Sequence, residues 1–191
     1  MSFKEEKTVY FESPGEQNTD VLLSVVKRYV DEKNIRDIVV ASTRGLTGVK
    51  ASEILKGYNV VIVTHHTGFR EPGKNELKDE YRRKILANGA KIFTGTHALS
   101  SVERAIRRRF GAVETLEIIA NTLRLLGQGT KVCVEIVLMA ADAGLISMDK
   151  DVVAVGGTGR GADTALLIKP ANTSDFFNLK IKEIIAKPKE F

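Results

Sequence analysis

Hydroxyl, glycine and arginine residues are concentrated in residues 42–48, STRGLTG, a composition suited to binding an anion. The apolar residues 38–41 precede this segment and predict a strand that is buried on both faces. A helical pattern follows, so the segment leads into a helix N-terminus. The unpaired N–H groups and the positive dipole end of a helix N-terminus favour phosphate. The segment is therefore either a phosphate site or a capped turn that binds nothing.

Three further loops, residues 64–70, 94–97 and 156–162, also follow predicted strands. In a parallel α/β sheet such loops meet at one edge, and ligands bind there. The four loops contain no Asp or Glu, so we expect an anion site free of carboxylates at this edge. The residues expected to bind the ligand offer hydroxyl, N–H, imidazole, aromatic or guanidinium groups: Ser42, Thr43, Arg44, Gly45, Thr47, Gly48, His65, His66, Thr67, Gly68, Phe69, Thr96, Gly157, Thr158, Arg160 and Gly161.

All three histidines of the chain, His65, His66 and His97, lie in these loops. Zinc needs three or four protein ligands, and no Cys or carboxylate in the loops joins the histidines, so we expect no metal site. Acid–base catalysis by His65 or His66 stays open, although the sequence shows no nucleophile with an orienting carboxylate beside them. Hydrogen bonding to a phosphate or a ring is the third interpretation. The sequence therefore assigns no catalytic residue.

Helical patterns alternate with apolar strands, and this alternation positions the loops. Five strands are predicted, at residues 38–41, 60–63, 91–94, 151–155 and 164–168. The turn-like residues 156–163, GGTGRGAD, are too few for a parallel crossover, so the last two strands should be antiparallel. The fold class is therefore α/β, a three-layer α/β/α sandwich around a mostly parallel sheet.

Both ends of the chain carry weaker signals. Residues 8–11 predict a short extended piece. The C-terminal segment contains Ile181, Ile184 and Ile185, whose spacing suits either a strand or a short helix. Residues 1–10 are charged and unlike a signal peptide.

The 191 residues carry a net charge of +5, which favours an acidic ligand. Arg104 and Arg107 belong to a cluster of arginines near the end of a predicted helix, which suits a solvated basic face. No helix-turn-helix, zinc-finger or RNP signature accompanies the cluster, which leaves nucleic-acid binding as a minor alternative. The single cysteine, Cys133, excludes a disulfide framework and indicates a reducing compartment. No apolar run approaches the roughly 20 residues that span a bilayer, so we expect a cytoplasmic protein without membrane contact.

The first and last loops resemble those of the C-terminal α/β domain of pyruvate kinases. In that family a strand leads into a loop T-x-S-G-x-[ST], which binds the phosphate of a sugar-bisphosphate effector; here Ser42, Gly45 and Thr47 match, and Arg44 replaces the middle hydroxyl residue. Residues 155–164, VGGTGRGADT, resemble the family's T-G-x-x-P-G-S-G-x-T-N-T segment without its proline. By element order, the resemblance extends over residues 19–170.

The resemblance implies a single domain, residues 1–191, with a mixed five-stranded sheet of order 3-2-1-4-5 whose last strand is antiparallel. The catalytic barrel of pyruvate kinase is absent, so no pyruvate kinase activity is expected. The corresponding domain makes contacts between subunits in that family, which implies a homo-oligomer, most simply a dimer. Apolar helical patterns between residues 113 and 143 offer surface for it.

The spacing Ser42-x-x-Gly45-x-Thr47 also resembles the phosphate loop T-x-T-G-x-T of flavodoxins, which hold flavin mononucleotide (FMN). The chain has no Trp, and Phe69 is the candidate to stack on the flavin ring. We therefore expect a phosphomonoester ligand, with FMN first. The alternatives are a sugar-phosphate-sensing regulatory module and an enzyme that acts on a phosphorylated metabolite with His65 or His66 as acid or base.

Overall fold

The computed structural model describes residues 3–191 of the chain, so the first two residues of the charged N-terminal segment lie outside it. The strands are β1 (Val9–Phe11), β2 (Asp37–Ala41), β3 (Asn59–Thr64), β4 (Lys91–Thr94), β5 (Val152–Gly156), β6 (Thr164–Lys169) and β7 (Lys180–Pro188). The helices are α1 (Thr19–Lys33), α2 (Leu46–Ile54), α3 (Asp79–Ala87), α4 (Glu103–Phe110), α5 (Thr115–Arg124) and α6 (Gln128–Asp142), with short 3-10 helices at Glu16–Asn18 and Thr173–Asn178. Within the described residues, no helix has the length and apolar composition that crossing a membrane requires.

One mixed sheet of seven strands has the order β1-β7-β6-β5-β2-β3-β4. The predicted order 3-2-1-4-5 is confirmed for the inner part, β4-β3-β2-β5-β6, and β6 is antiparallel to β5 as expected. The predicted count of five strands is wrong. The C-terminal segment forms β7, antiparallel to β6, and the N-terminal piece forms β1, parallel to β7.

The central strand β2 faces apolar layers on both sides, which confirms the three-layer α/β/α architecture. Ile38 and Val40 belong to a core shared with buried residues of α1, α2 and α3, such as Leu22. Val39 between them belongs to a second core, which contains much of α6, including Val137. Because successive residues of a strand point to opposite faces, a fully apolar run can fill both cores.

The buried carboxylate of Asp163 holds the glycine-rich loop between β5 and β6. Its Oδ2 atom accepts the backbone N–H groups of Gly15 and Thr158, each at 3.0 Å. Its Oδ1 atom accepts the hydroxyl of Thr164 at 2.8 Å. One side chain thus joins the N-terminal segment, the loop and the start of β6.

Close backbone packing secures the same junction. Gly161 has φ +72°, and a Cβ there would lie 2.4 Å from Cα of Glu16. The next N–H group, that of Ala162, donates to the hydroxyl of Thr19 at 2.9 Å. Only glycine meets both requirements at position 161, the left-handed φ and the close approach.

Replacing Asp163 by Ala should lower the free energy of unfolding by at least about 2 kcal/mol, because hydrogen bonds to a charged group contribute roughly 1.5–3 kcal/mol each. Urea unfolding followed by circular dichroism would measure the change. As a control, Asp175→Ala removes an exposed carboxylate whose hydrogen bond to Asn178 is also exposed, and it should have little effect. If both variants have the same free energy of unfolding, the hydrogen bonds of Asp163 contribute no more to stability than an exposed carboxylate does.

Candidate functional site

A cavity of about 700 Å³ lies where β2, β3 and β5 end at the carboxyl edge of the sheet. This is the edge at which the sequence predicted a ligand site. The predicted residues that line it are Ser42, Thr43, Arg44, Gly45, Thr47, His65, Gly157, Arg160 and Gly161. The other predicted residues, which are not in its wall, are Gly48, His66, Thr67, Gly68, Phe69, Thr96 and Thr158.

The start of α2 forms one part of the wall. The Ser42 hydroxyl accepts the N–H of Gly48 at 2.9 Å and so caps the turn that leads into the helix. Gly45 takes φ +108°, and a Cβ there would lie 2.5 Å from Cβ of Tyr81. The helix begins at Leu46, and its first N–H groups have no acceptor within the helix. Thr47, in this first turn, lines the cavity.

Cationic side chains surround the start of α2. Arg44 and Arg160 are exposed and both line the cavity. Three further lining cations are already paired. Lys50 Nζ lies 2.7 Å from Asp20, Arg70 Nε lies 3.1 Å from Glu76, and Lys78 Nζ lies 3.8 Å from Glu80. Arg44 and Arg160 are therefore the side chains best placed to receive an anion.

His65 lies between a carboxylate and a hydroxyl. Its Nδ1 atom is 2.8 Å from Oε2 of Glu76, and its Nε2 atom is 3.2 Å from the Thr43 hydroxyl. Burial lowers the pKa of His65, and Glu76 partly opposes this shift while His97 and Arg70 add to it. At neutral pH the imidazole is therefore mainly uncharged, able to accept a proton at Nε2.

His97 forms a second contact with a carboxylate. Its Nδ1 atom lies 3.5 Å from Oε2 of Glu135, and the same oxygen accepts Lys131 Nζ at 2.6 Å. The other oxygen of Glu135 accepts the N–H of Leu99 at 3.1 Å. Burial works to raise the pKa of Glu135, but the hydrogen bond and charge of His97 and the charge of Lys131 outweigh it and lower this pKa to about 2.

The prediction of a carboxylate-free edge is wrong for the cavity as a whole, because Glu16, Glu76 and Glu135 line it. None of them lies in the four segments 42–48, 64–70, 94–97 and 156–162 from which the edge was predicted. Glu16 belongs to a 3-10 helix, Glu76 to the return of the long loop after β3, and Glu135 to α6. The sequence showed no orienting carboxylate beside His65 or His66, whereas in the structure Glu76 contacts His65.

An apolar wall completes the cavity. Val132, Ile136 and Met139 of α6 line it. Phe69, the predicted ring-stacking residue, instead packs with its ring centroid 3.9 Å from that of His65 and 3.9 Å from the guanidinium carbon of Arg104. The apolar face offered to a ligand thus comes from α6 rather than from Phe69.

Metal ligation has no obvious centre in residues 3–191, where no three His, Cys, Asp or Glu side chains come together to hold an ion. Each carboxylate beside a histidine is already paired with a cation, Glu76 with Arg70 and Glu135 with Lys131. The histidines therefore serve hydrogen bonding and proton transfer better than ligation.

The family model described as "Pyruvate kinase, alpha/beta domain" matches residues 20–168 of the chain. Two solved pyruvate kinase structures from Cryptosporidium parvum are similar to it. The first is 13% identical, with 80% of this chain and 22% of that chain covered and a TM-score of 0.41. The second, in complex with ADP, is 14% identical, with 78% and 22% covered and a TM-score of 0.38. An O-ureido-L-serine synthase is 22% identical over 48% of this chain and 29% of that chain, with a TM-score of 0.31. The chain spans only 22% of the length of those two pyruvate kinases.

Glu135→Gln should lower the free energy of unfolding by about 3–5 kcal/mol at neutral pH, because the buried Lys131 would lose its counter-charge. The pKa of Glu135 falls from 4.5 to about 2 on folding, so its stabilisation is present above about pH 4.5 and is lost as the pH falls toward 2. The difference between wild type and variant in urea unfolding should shrink over that range. Glu117→Gln, which breaks a surface ion pair with Arg107, is the control and should cost at most about 1 kcal/mol. If the difference in unfolding free energy between wild type and Glu135→Gln does not change with pH, the low pKa of Glu135 in the folded protein is contradicted.

Proposed function

The chain belongs to the pyruvate kinase alpha/beta domain family, and from this premise we propose that it binds a phosphorylated small molecule, first of all FMN, in the cavity at the carboxyl edge of its sheet. Pyruvate kinase chemistry is not part of the proposal, since the chain covers only about a fifth of those enzymes. Formation of pyruvate from phosphoenolpyruvate and ADP by the pure protein would contradict this.

The observation that carries the proposal is the shared wall formed by the start of α2, Arg44 and Arg160. Helix N–H groups and guanidinium groups are the donors that bind phosphate in proteins. Thr47 adds a hydroxyl in the first turn of the helix. The phosphate of the ligand would therefore lie against residues 44–47.

The part of the cavity wall formed by α6 favours an aromatic or apolar body on the phosphate ester. Val132, Ile136 and Met139 offer a surface that a flavin ring can cover and that the hydroxyls of a sugar would leave unmatched. The cavity volume of about 700 Å³ lies in the range of roughly 300–1,000 Å³ that is typical of small-molecule sites. The apolar lining therefore favours FMN over a sugar phosphate as the ligand. It likewise favours a flavoprotein over a sugar-phosphate-sensing module.

An enzyme acting on a phosphorylated metabolite is the second candidate, and the Glu76–His65 hydrogen bond favours it. A carboxylate on Nδ1 is the usual partner of a histidine that acts as acid or base at Nε2. His66 lacks this support, because its Nδ1 atom contacts the carbonyl oxygen of Thr67. His65 is therefore the stronger of the two predicted acid–base residues.

We also propose that the protein is cytoplasmic and forms a homodimer. The chain has a single cysteine and so no internal disulfide, which fits a reducing compartment. Exposed apolar side chains around α4 and α5, among them Phe110, Val113, Ile118 and Leu125, offer a surface for a second copy. A monomeric mass by light scattering at micromolar concentration would contradict the dimer.

Thr47→Val keeps the shape of the side chain and removes its hydroxyl. Hydrogen bonds to charged groups contribute about 1.5–3 kcal/mol, so affinity for FMN should fall roughly 10–150-fold. Calorimetry with FMN would measure this, and the absorbance spectrum of the purified protein would show any flavin that stays bound. The control Thr122→Val removes an exposed hydroxyl on α5 and should bind normally. Wild-type affinity in the Thr47 variant would place the phosphate elsewhere.

Gly45→Val is a less specific probe. It should weaken binding more than Thr47→Val, but the added Cβ would clash with Tyr81 and the φ of +108° would strain any L side chain. A lowered melting temperature should therefore accompany its loss of affinity. Thr47→Val is the cleaner test of phosphate binding.

A further inference from the structure

A carboxylate, an imidazole and a hydroxyl are hydrogen-bonded in series in the cavity wall. Glu76 Oε2 lies 2.8 Å from Nδ1 of His65, and Nε2 of His65 lies 3.2 Å from the hydroxyl of Thr43. A carboxylate oxygen can only accept, so Nδ1 carries the proton and Nε2 accepts the hydroxyl hydrogen of Thr43. This is the order of groups that activates a hydroxyl as a nucleophile.

We propose that Thr43 is the nucleophile of an acyl-transfer site, with His65 as its general base and Glu76 as the residue that positions His65. The substrate class is a carboxylic ester of a phosphorylated small molecule. Only this choice of substrate rests on the function proposed above, because the phosphate would be held by the cradle at residues 44–47.

The hydrogen-bonded series of Glu76, His65 and Thr43 suits acyl transfer better than phosphoryl transfer. In an in-line displacement at phosphorus, the leaving group departs opposite the nucleophile, where a base bound to Thr43 cannot return the proton. A tetrahedral intermediate at carbon keeps the nucleophile and the leaving group within reach of one imidazole. His65 alone can therefore serve both halves of an acyl transfer.

The turn between β2 and α2 places donors close to Thr43 along the chain. The N–H groups at the start of α2 have no intrahelical acceptor, and Leu46 begins that helix. An oxyanion that forms on a carbonyl attacked by Thr43 needs such a donor. The Leu46 N–H would serve the oxyanion, while Thr47, Arg44 and Arg160 hold the phosphate. The Gly48 N–H is not available for this role, because it donates to Ser42.

In the first half of the reaction, Thr43 Oγ forms a bond to the carbonyl carbon of the ester, and its proton passes to Nε2 of His65. The bond between that carbon and the leaving oxygen then breaks, and the leaving group takes the proton from His65. In the second half, water attacks the acyl carbon on Thr43 and gives a proton to His65. That proton returns to Thr43 Oγ as the acid departs, so water is the only co-reactant.

The charges around His65 keep it in the form that the reaction needs. Burial lowers its pKa most, Glu76 of the same loop raises it, and His97 after β4 and Arg70 of the loop lower it. His97 in turn contacts Glu135 of α6. The uncharged imidazole therefore predominates at neutral pH, and activity should be lost as the pH falls and His65 takes up a proton.

The test uses p-nitrophenyl acetate, an ester that carries no phosphate, with the full chain. Wild type should release p-nitrophenolate and, after an acid quench, carry an acetyl group on the peptide that contains Thr43. Thr43→Val should lose both signals and Thr43→Ser should keep them. His65→Gln should be slower by about 10²–10⁴-fold, the usual contribution of general acid–base catalysis. The control Thr122→Val, which removes an exposed hydroxyl, should behave as wild type.

Glu76→Gln tests the positioning role. Its rate should fall, and the acid limb of its pH–rate profile should move to lower pH, because the Glu76 charge raises the pKa of His65. Glu71→Gln changes an exposed carboxylate in the same loop, paired with Lys74, and should leave rate and profile unchanged. A slower rate with no shift of the acid limb would overturn the role of Glu76.

Calorimetry with FMN on the same samples separates this inference from the binding function. FMN binding without acetylation of Thr43 would overturn the inference and leave the binding function standing. Acetylation of Thr43 without FMN binding would support the nucleophile and contradict the binding function. Acetylation confined to other residues, in protein that circular dichroism shows to be folded, would also overturn the inference.

Discussion

The cavity depends most on the hydrogen bonds that the Asp163 carboxylate accepts, because they come from three separate parts of the chain. A carboxylate that receives several hydrogen bonds tolerates burial, whereas the same group without them would be costly. Gly15 thereby brings the N-terminal segment against the loop, and Gly161 lets the two backbones touch. The hydrogen bonds of Asp163 and the close packing at Gly161 thus fix the backbone of the loop that carries Arg160.

The strands of the inner sheet could be predicted from sequence because most of them are continuous apolar runs. Their order was implied by the resemblance to the pyruvate kinase domain. β7 could not be predicted, and the reason is visible in its pairing with β6. Register shifts interrupt that pairing between Ala165 and Leu166 and between Leu167 and Ile168. Such irregularities break the two-residue period of a strand, so the spacing of Ile181, Ile184 and Ile185 does not distinguish strand from helix. β1, only three residues long, depends on β7 being present.

The part of the site that follows strand ends could likewise be placed from sequence, since parallel strands deliver their loops to one edge. The carboxylates could not, because their positions depend on tertiary packing. Glu76 reaches His65 only when the long loop after β3 folds back. Glu135 does leave a signal in the sequence, since it follows Lys131 by one helical turn in a helix that is otherwise almost entirely apolar. Two ionisable residues at that spacing on such a helix indicate a buried ion pair.

The pairing of β1 with β7 has a consequence for biosynthesis. Val9 lies beside Ala186, so the first strand pairs with the last one of the domain. During translation, β1 leaves the ribosome long before its partner exists, and it must remain unpaired until β7 has been made. β2 and β3 can pair early, since they follow one another closely along the chain, whereas β2 must also wait for β5. The N-terminal strand should therefore dock last, and contacts between such distant residues are the kind that slow folding.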